Sequence, residues 1–315
     1  MKTVMKHLNK KYLSLLPVVL VLGGALYLYM QSDEDVDTPD SIYEAVSVDN
    51  QANVDVTHIH TNELFVDGAL ASDVTFSDCI LDGDNQSECM NIEVHAIPTI
   101  RDTGPFCPES ISTESSDAGI WLDGESVYDL DGEFISNLAT IYDDSNWKLY
   151  EDDGSVRITE TEEAFDAAAR PDVDPEYQNY CVEGKAEWVE DTTTVYQIPS
   201  HPTYTGIAKD TSITDKIGIT FDGVIIDPAA PVDAILSAYT IAAFDDCGGH
   251  YNPVAGYHMH AATGCGELDS YTDDESSLFG VAMDGFPIYS PFKNGEEPDD
   301  LDAVSYTHLT LPTIA

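Results

Sequence analysis

Short apolar runs that alternate with polar residues and stop at Asp, Gly, Asn or Pro recur along most of this chain, and they limit its fold more than any other feature. Successive side chains of a strand point to opposite faces, so alternation over about four to eight residues marks a half-buried strand; a helix needs an apolar stripe of period about 3.6. Val54-Asp55-Val56-Thr57-His58-Ile59 and the run from Val189 to Ile198 alternate in this way. Helical periodicity is confined to short stretches at 133–142, 160–169 and 231–239. The expected fold is mainly β with a few short helices, sandwich- or barrel-like.

One turn recurs. Gly119-Ile120-Trp121-Leu122-Asp123-Gly124, Gly218-Ile219-Thr220-Phe221-Asp222-Gly223 and Gly280-Val281-Ala282-Met283-Asp284-Gly285 are each an apolar run closed by Asp-Gly, a turn signal after a strand. They suggest a first β-rich unit at 55–185, possible kin of a second at 186–302; chance recurrence in an Asp-rich β chain is the alternative.

Six cysteines, Cys79, Cys89, Cys107, Cys181, Cys247 and Cys265, form an even set without C-x-x-C, which reads as a disulfide framework rather than a zinc ribbon or redox pair. Order along the chain suggests Cys79 with Cys89, Cys107 with Cys181 and Cys247 with Cys265, one of many pairings that six cysteines allow. Disulfides need an oxidising compartment, and the N-terminus supplies a route to one. Lys2, Lys6, Lys10 and Lys11 precede residues 12–30, which carry no charge and are long enough to cross a hydrocarbon core of about 30 Å. Asp33, Glu34 and Asp35 follow, so the positive-inside tendency places the rest of the chain outside the cytoplasm, facing the periplasm or the cell exterior. Tyr27 and Tyr29 near the outer end suit an uncleaved membrane anchor over residues 1–30; a cleaved signal peptide is the alternative. Residues 31–54 read as an acidic spacer.

The chain carries 59 Asp and Glu against 12 Lys and Arg, a net charge of −47, and only 8 of those cations lie beyond the N-terminal lysines. Phosphate binding needs clustered cations, so nucleic acid is excluded as a partner. The acids are spread rather than blocked, which fits a protein adapted to salt, halophilic or marine; a cation-collecting surface is the alternative.

The densest chemistry lies in Phe244-Asp245-Asp246-Cys247-Gly248-Gly249-His250-Tyr251-Asn252-Pro253-Val254-Ala255-Gly256-Tyr257-His258-Met259-His260, where three of nine histidines fall within eleven residues. On a strand, His258 and His260 share one face about 7 Å apart while Tyr257 and Met259 take the other. His250 returns across the Asn252-Pro253 turn as a third candidate. Neutral imidazole suits a transition metal such as copper or zinc, and Asp245 or Asp246 is placed to complete the shell or to accept the other ring N–H. A purely structural histidine cluster is the alternative.

The order Gly218 to Val224, then Asp246 to His250, then Gly256-Tyr257-His258-Met259-His260, then Gly280 to Tyr289, resembles the YHYH-domain family, named for a Tyr-His-Tyr-His signature. Ile198-Pro199-Ser200-His201-Pro202 is similar to that family's Ile-Pro-x-His-Pro segment, which adds His201 to the candidate ligands. Met259 stands where the signature has its second tyrosine, so any role of that hydroxyl is lost here. The resemblance, over roughly residues 190–292, implies a secreted, often anchored protein and no established reaction.

Other signals are weaker. Asp129-Leu130-Asp131-Gly132 is only a fragment of a calcium loop, and no nucleophile elbow, phosphate loop or His-Glu-x-x-His occurs. His58-Ile59-His60 is a second His-x-His of lesser weight. Residues 304–313 resemble a translated sequencing adapter, so 303–315 reads as an artefactual tail, the authentic chain is expected to run out near Asp302, and His308 is no ligand candidate. The leading expectation is an extracytoplasmic metal-binding protein with His201, His250, His258, His260 and Asp246 at its site. A metalloenzyme with an open coordination position and a calcium- or glycan-dependent surface module are the alternatives.

Overall fold

The computed structural model describes residues 64–81, 85–124, 126–170, 172–202, 215–261, 263 and 278–289. Along them run β1 (Thr75–Leu81), β2 (Asn85–His95), β3 (Ile120–Leu122), β4 (Val127–Asp129), β5 (Cys181–Val182), β6 (Thr193–Pro199), β7 (Gly218–Thr220), β8 (Ile225–Ile226), β9 (Ile241–Ala242), β10 (Gly249–Asn252), β11 (Gly256–Met259), β12 (Leu278–Ala282) and β13 (Pro287–Tyr289). The helices are α1 (Gly132–Ile141), α2 (Glu162–Ala168) and α3 (Val232–Ser237). Mainly β structure is thus what the alternation yields, and the helices lie within a few residues of the stretches whose period suggested them. Caps set the starts of α1 and α2: Asp131 accepts from the Phe134 N–H at 2.8 Å and Thr161 from the Ala164 N–H at 3.2 Å.

Strand β2 shows how alternation makes two faces. Met90, Ile92 and Val94 are buried, while Asn91 and Glu93 point outward. On the outer face Asn91 donates to Ser77 at 3.0 Å and accepts from Gln197 at 3.1 Å, a polar ladder across the antiparallel β1-β2-β6 sheet. The inner face packs on a six-stranded sheet ordered β10-β11-β8-β7-β12-β13, antiparallel except for the parallel β11–β8 pair. Met90, Ile92, Val94 and Ile198 from one sheet meet Ile219, Ile225 and Val281 from the other. Burying each such side chain stabilises the fold by about 1.5–3 kcal/mol.

This is the sandwich-like form of the expectation, and the barrel-like form is not met. Strands β10 and β13 end the large sheet without pairing to each other. Its strands are two to five residues long, too short to tilt and stagger around a closed cylinder, and a second sheet covers the apolar face instead. The three Asp-Gly turns join β3 to β4, β7 to β8 and β12 to β13, with Gly124, Gly223 and Gly285 at φ of 87°, 80° and 90°. At Gly223 a Cβ would stand 2.4 Å from the Ala69 carbonyl oxygen, so both space and backbone require glycine.

A second core gathers Trp121, Leu130, Phe134, Leu138 and Leu149 around Ile241, Ala243, Phe244 and Ala261, with Trp121 stacked on Phe244 at 6.4 Å. The pairing of β6 with β2, of β9 with β5 and of Phe244 with Ile120 runs across residue 185. The cysteines pair as Cys79–Cys89 and Cys107–Cys181, the latter inside this core. Cys247 is also disulfide-bonded, and Cys265 lies outside the described residues. Among the described residues no helix is long and apolar enough to cross a membrane; the anchor expected at 12–30, the His58-Ile59-His60 pair and the 303–315 tail lie outside them.

Candidate metal centre

The centre is built on the β10–β11 hairpin at one edge of the large sheet. Its turn is made locally: the Asn252 side-chain oxygen accepts from the N–H groups of Val254 at 2.9 Å and Ala255 at 3.2 Å, and Gly256 takes a positive φ of 75°. The register then sets His250 directly opposite His258 and Tyr251 opposite Tyr257. Because side chains alternate, His250, His258 and His260 share one face, while Tyr251, Tyr257 and Met259 pack together on the other.

The three Nε2 atoms converge. His250 Nε2 lies 3.1 Å from that of His258 and 3.1 Å from that of His260, and all three lie within 4.8 Å of one another. Nδ1–H of His258 donates to the Gly256 carbonyl at 3.0 Å, and Nδ1–H of His260 donates to the Pro228 carbonyl at 2.5 Å. A neutral imidazole has one N–H, so both rings turn a bare lone pair on Nε2 toward His250. His250 can donate one proton to one of them; the other bare Nε2 is then left without a donor unless a cation stands among them. Burial first, and the neighbouring imidazoles second, hold the His250 and His260 rings below the ordinary histidine range; burial also lowers His258, against the pull of Asp227. The Phe244 ring closes one side, 5.0 Å from the His250 ring and 5.4 Å from that of His260.

Donor chemistry and spacing fit a transition-metal ion. Nitrogens that share a tetrahedral ion at about 2.0–2.1 Å stand about 3.3 Å apart, close to the 3.1 Å from His250 to each of the other two, while the third pair lies within 4.8 Å. Carbonyl-held Nδ1–H groups are also the usual way in which a ligating imidazole is oriented.

Of the other two expected ligands, neither joins this group. Asp246 is exposed in the turn before β10, where its backbone carbonyl accepts from the Thr263 hydroxyl. Its neighbour Asp245 is the buried one, and it braces the hairpin instead of facing the nitrogens. Asp245 Oδ2 accepts from the Tyr257 hydroxyl at 2.6 Å and the Gly104 N–H at 3.3 Å, and Oδ1 accepts from the N–H groups of Cys247 and Gly249, both at 3.1 Å. Burial raises the Asp245 carboxyl, and burial together with Asp245 pushes the Tyr257 hydroxyl upward. His201 is exposed just past β6, a strand of the sheet that does not carry the hairpin.

One carboxylate at the centre was not singled out from the sequence. Asp227 Oδ2 lies 3.8 Å from His258 Nε2 and 2.7 Å from Lys216 Nζ, while Asp227 Oδ1 is buried without a partner. Its only signal was an acid closing the apolar run Val224-Ile225-Ile226 before Pro228, one among 59 acids. Met259, in the place of the signature's second tyrosine, packs on the far face, its sulfur 3.7 Å from Arg101 Nη1.

Fold and site together define a disulfide-bonded, two-layer β protein whose hairpin carries a half-buried three-imidazole centre able to hold a metal ion. Residues 195–308 match the family model described as YHYH protein, a span that contains the whole hairpin and all three histidines. The match begins within β6, so the matched segment shares a sheet with β1 and β2, which precede it. No curated protein and no solved structure matches this chain.

Proposed function

We propose that the protein binds one copper or zinc ion through His250, His258 and His260, outside the cytoplasm, as a metal-holding protein tethered by its N-terminal segment. The observation that carries this reading is the convergence of three Nε2 atoms, two of them left without a proton by their Nδ1–H bonds to backbone carbonyls. Two disulfides support the oxidising compartment that the N-terminal lysines, the uncharged run and the following acids suggest.

Elemental analysis of the purified protein tests it, beside a His258→Ala/His260→Ala double variant. Near-stoichiometric copper or zinc is expected in the parent, and none in the variant. A parent that stays metal-free after reconstitution with both ions sinks the reading and makes the cluster structural.

A further inference from the structure

We infer that Asp227 is the fourth ligand of this centre, held by Lys216, and that the resulting three-nitrogen, one-oxygen set selects a divalent ion over monovalent copper. The inference rests on the metal-binding reading above and deepens it.

Three observations on the backbone and the side chain point the same way. Strand β8 runs parallel to β11 with Ile225 opposite His258 and Ile226 opposite Met259, and the pairing continues as the Asp227 N–H donates to the Met259 carbonyl at 2.8 Å. With a period of two, Ile225 and Asp227 fall on the face of His258 and His260, and Ile226 on the other. The next residue, Pro228, supplies the carbonyl that orients His260, so the β8 end positions an imidazole and a carboxylate at once.

Electrostatics make the second case. A buried carboxylate is stable when its lone pairs are used, yet Oδ1 of Asp227 is the one buried side-chain oxygen or nitrogen among the described residues that has no partner. Lys216 engages Oδ2 from the side, at 2.7 Å. The 3.8 Å to His258 Nε2 is measured from Oδ2, the oxygen that Lys216 also holds, and it shortens to about 3.3 Å when Oδ2 and Nε2 share one tetrahedral ion. The three nitrogens form a group that does not include Asp227, so the carboxylate has to move toward them to join the ion.

The donor set then carries selectivity. Monovalent copper favours thiolate and thioether sulfur, whereas imidazole with a carboxylate suits divalent ions of the zinc and copper(II) kind. Met259 could have supplied a thioether, but it lies on the opposite face of β11. Three neutral rings and one carboxylate leave a net positive charge around a divalent ion.

Cobalt(II) titration of the full chain tests this, because its visible bands report coordination and thiolate ligands add a near-ultraviolet charge-transfer band. The parent is expected to take one cobalt with the intense bands of a four-coordinate ion and to lose it to zinc. Asp227→Asn, close in shape, should weaken cobalt at least about tenfold and change the visible bands. Asp227→Cys should bind cobalt with a new thiolate-to-cobalt band, absent when His258→Ala/His260→Ala is added. Circular dichroism of the metal-free variants checks that each is folded, and either variant alone suffices. A parent that binds cobalt while Asp227→Asn matches it in affinity and spectrum, or Asp227→Cys that binds without the new band, overturns the fourth ligand and leaves the three-histidine reading standing. Failure of the parent to take cobalt, zinc or copper overturns that reading itself.

Discussion

At the residue scale the imidazoles carry a pH signature of their own. Burial and, for His250 and His260, neighbouring rings hold them below the ordinary histidine range, His260 down to about 4, while in the unfolded chain the same rings take protons near about pH 6.5. As pH falls from about 6.5 the unfolded state therefore gains protons first, and stability present above that value is lost on the way toward about 4. The metal-free parent should lose urea resistance between about pH 7 and pH 5, and the His258→Ala/His260→Ala variant should lose much less. Asp245, raised by burial, works in the opposite sense, but it is present in both proteins and cancels from the comparison. Equal slopes for the two proteins would mean that the rings titrate as they do in water. The histidine trio was legible because it is local: eleven residues, one Asn-Pro turn and strand alternation place the rings together. Asp227 was not legible, since it comes from another strand and looks like any of 58 other acids.

The hairpin is the element on which the centre depends. Gly256 ends its turn at a φ of 75°, a Cβ there would stand 2.4 Å from the Ala96 carbonyl oxygen, and its own carbonyl receives the His258 Nδ1–H. Gly256→Ala is expected to cost about 2 kcal/mol or more in urea unfolding and to weaken zinc in a chelator competition, because the strained turn shifts His258 against His250. Val254→Ala, two residues away and 96% exposed, should change neither. Elements with strong local signals were readable in this way: the helices through their short apolar period, the three hairpins through Asp-Gly. Whether the strands close into a barrel was not, because closure depends on what the two edge strands meet, and alternation says only which face is apolar.

For the whole molecule the charge of −47 sets the response to salt. Raising ionic strength from 0.01 M to 1 M shortens the screening length from about 30 Å to about 3 Å, so self-repulsion among surface acids should fall and Tm should rise by several degrees. A scan that shows no rise would argue that the acids are already paired with cations at low salt. The Cys107–Cys181 bridge closes a loop of 74 residues through the core that holds Phe244, so it ties the early segment to the layer under the centre. By itself the amino-acid sequence determined the β class, the short helices, the glycine turns and the three histidines, since each rests on chemistry within a turn or two of chain. Only the tertiary structure decided that two open sheets stack, that His201 and Asp246 face solvent, and that Asp227 and Lys216 arrive beside His258. Those outcomes depend on register between strands about thirty residues apart, and register is set by how the buried faces pack.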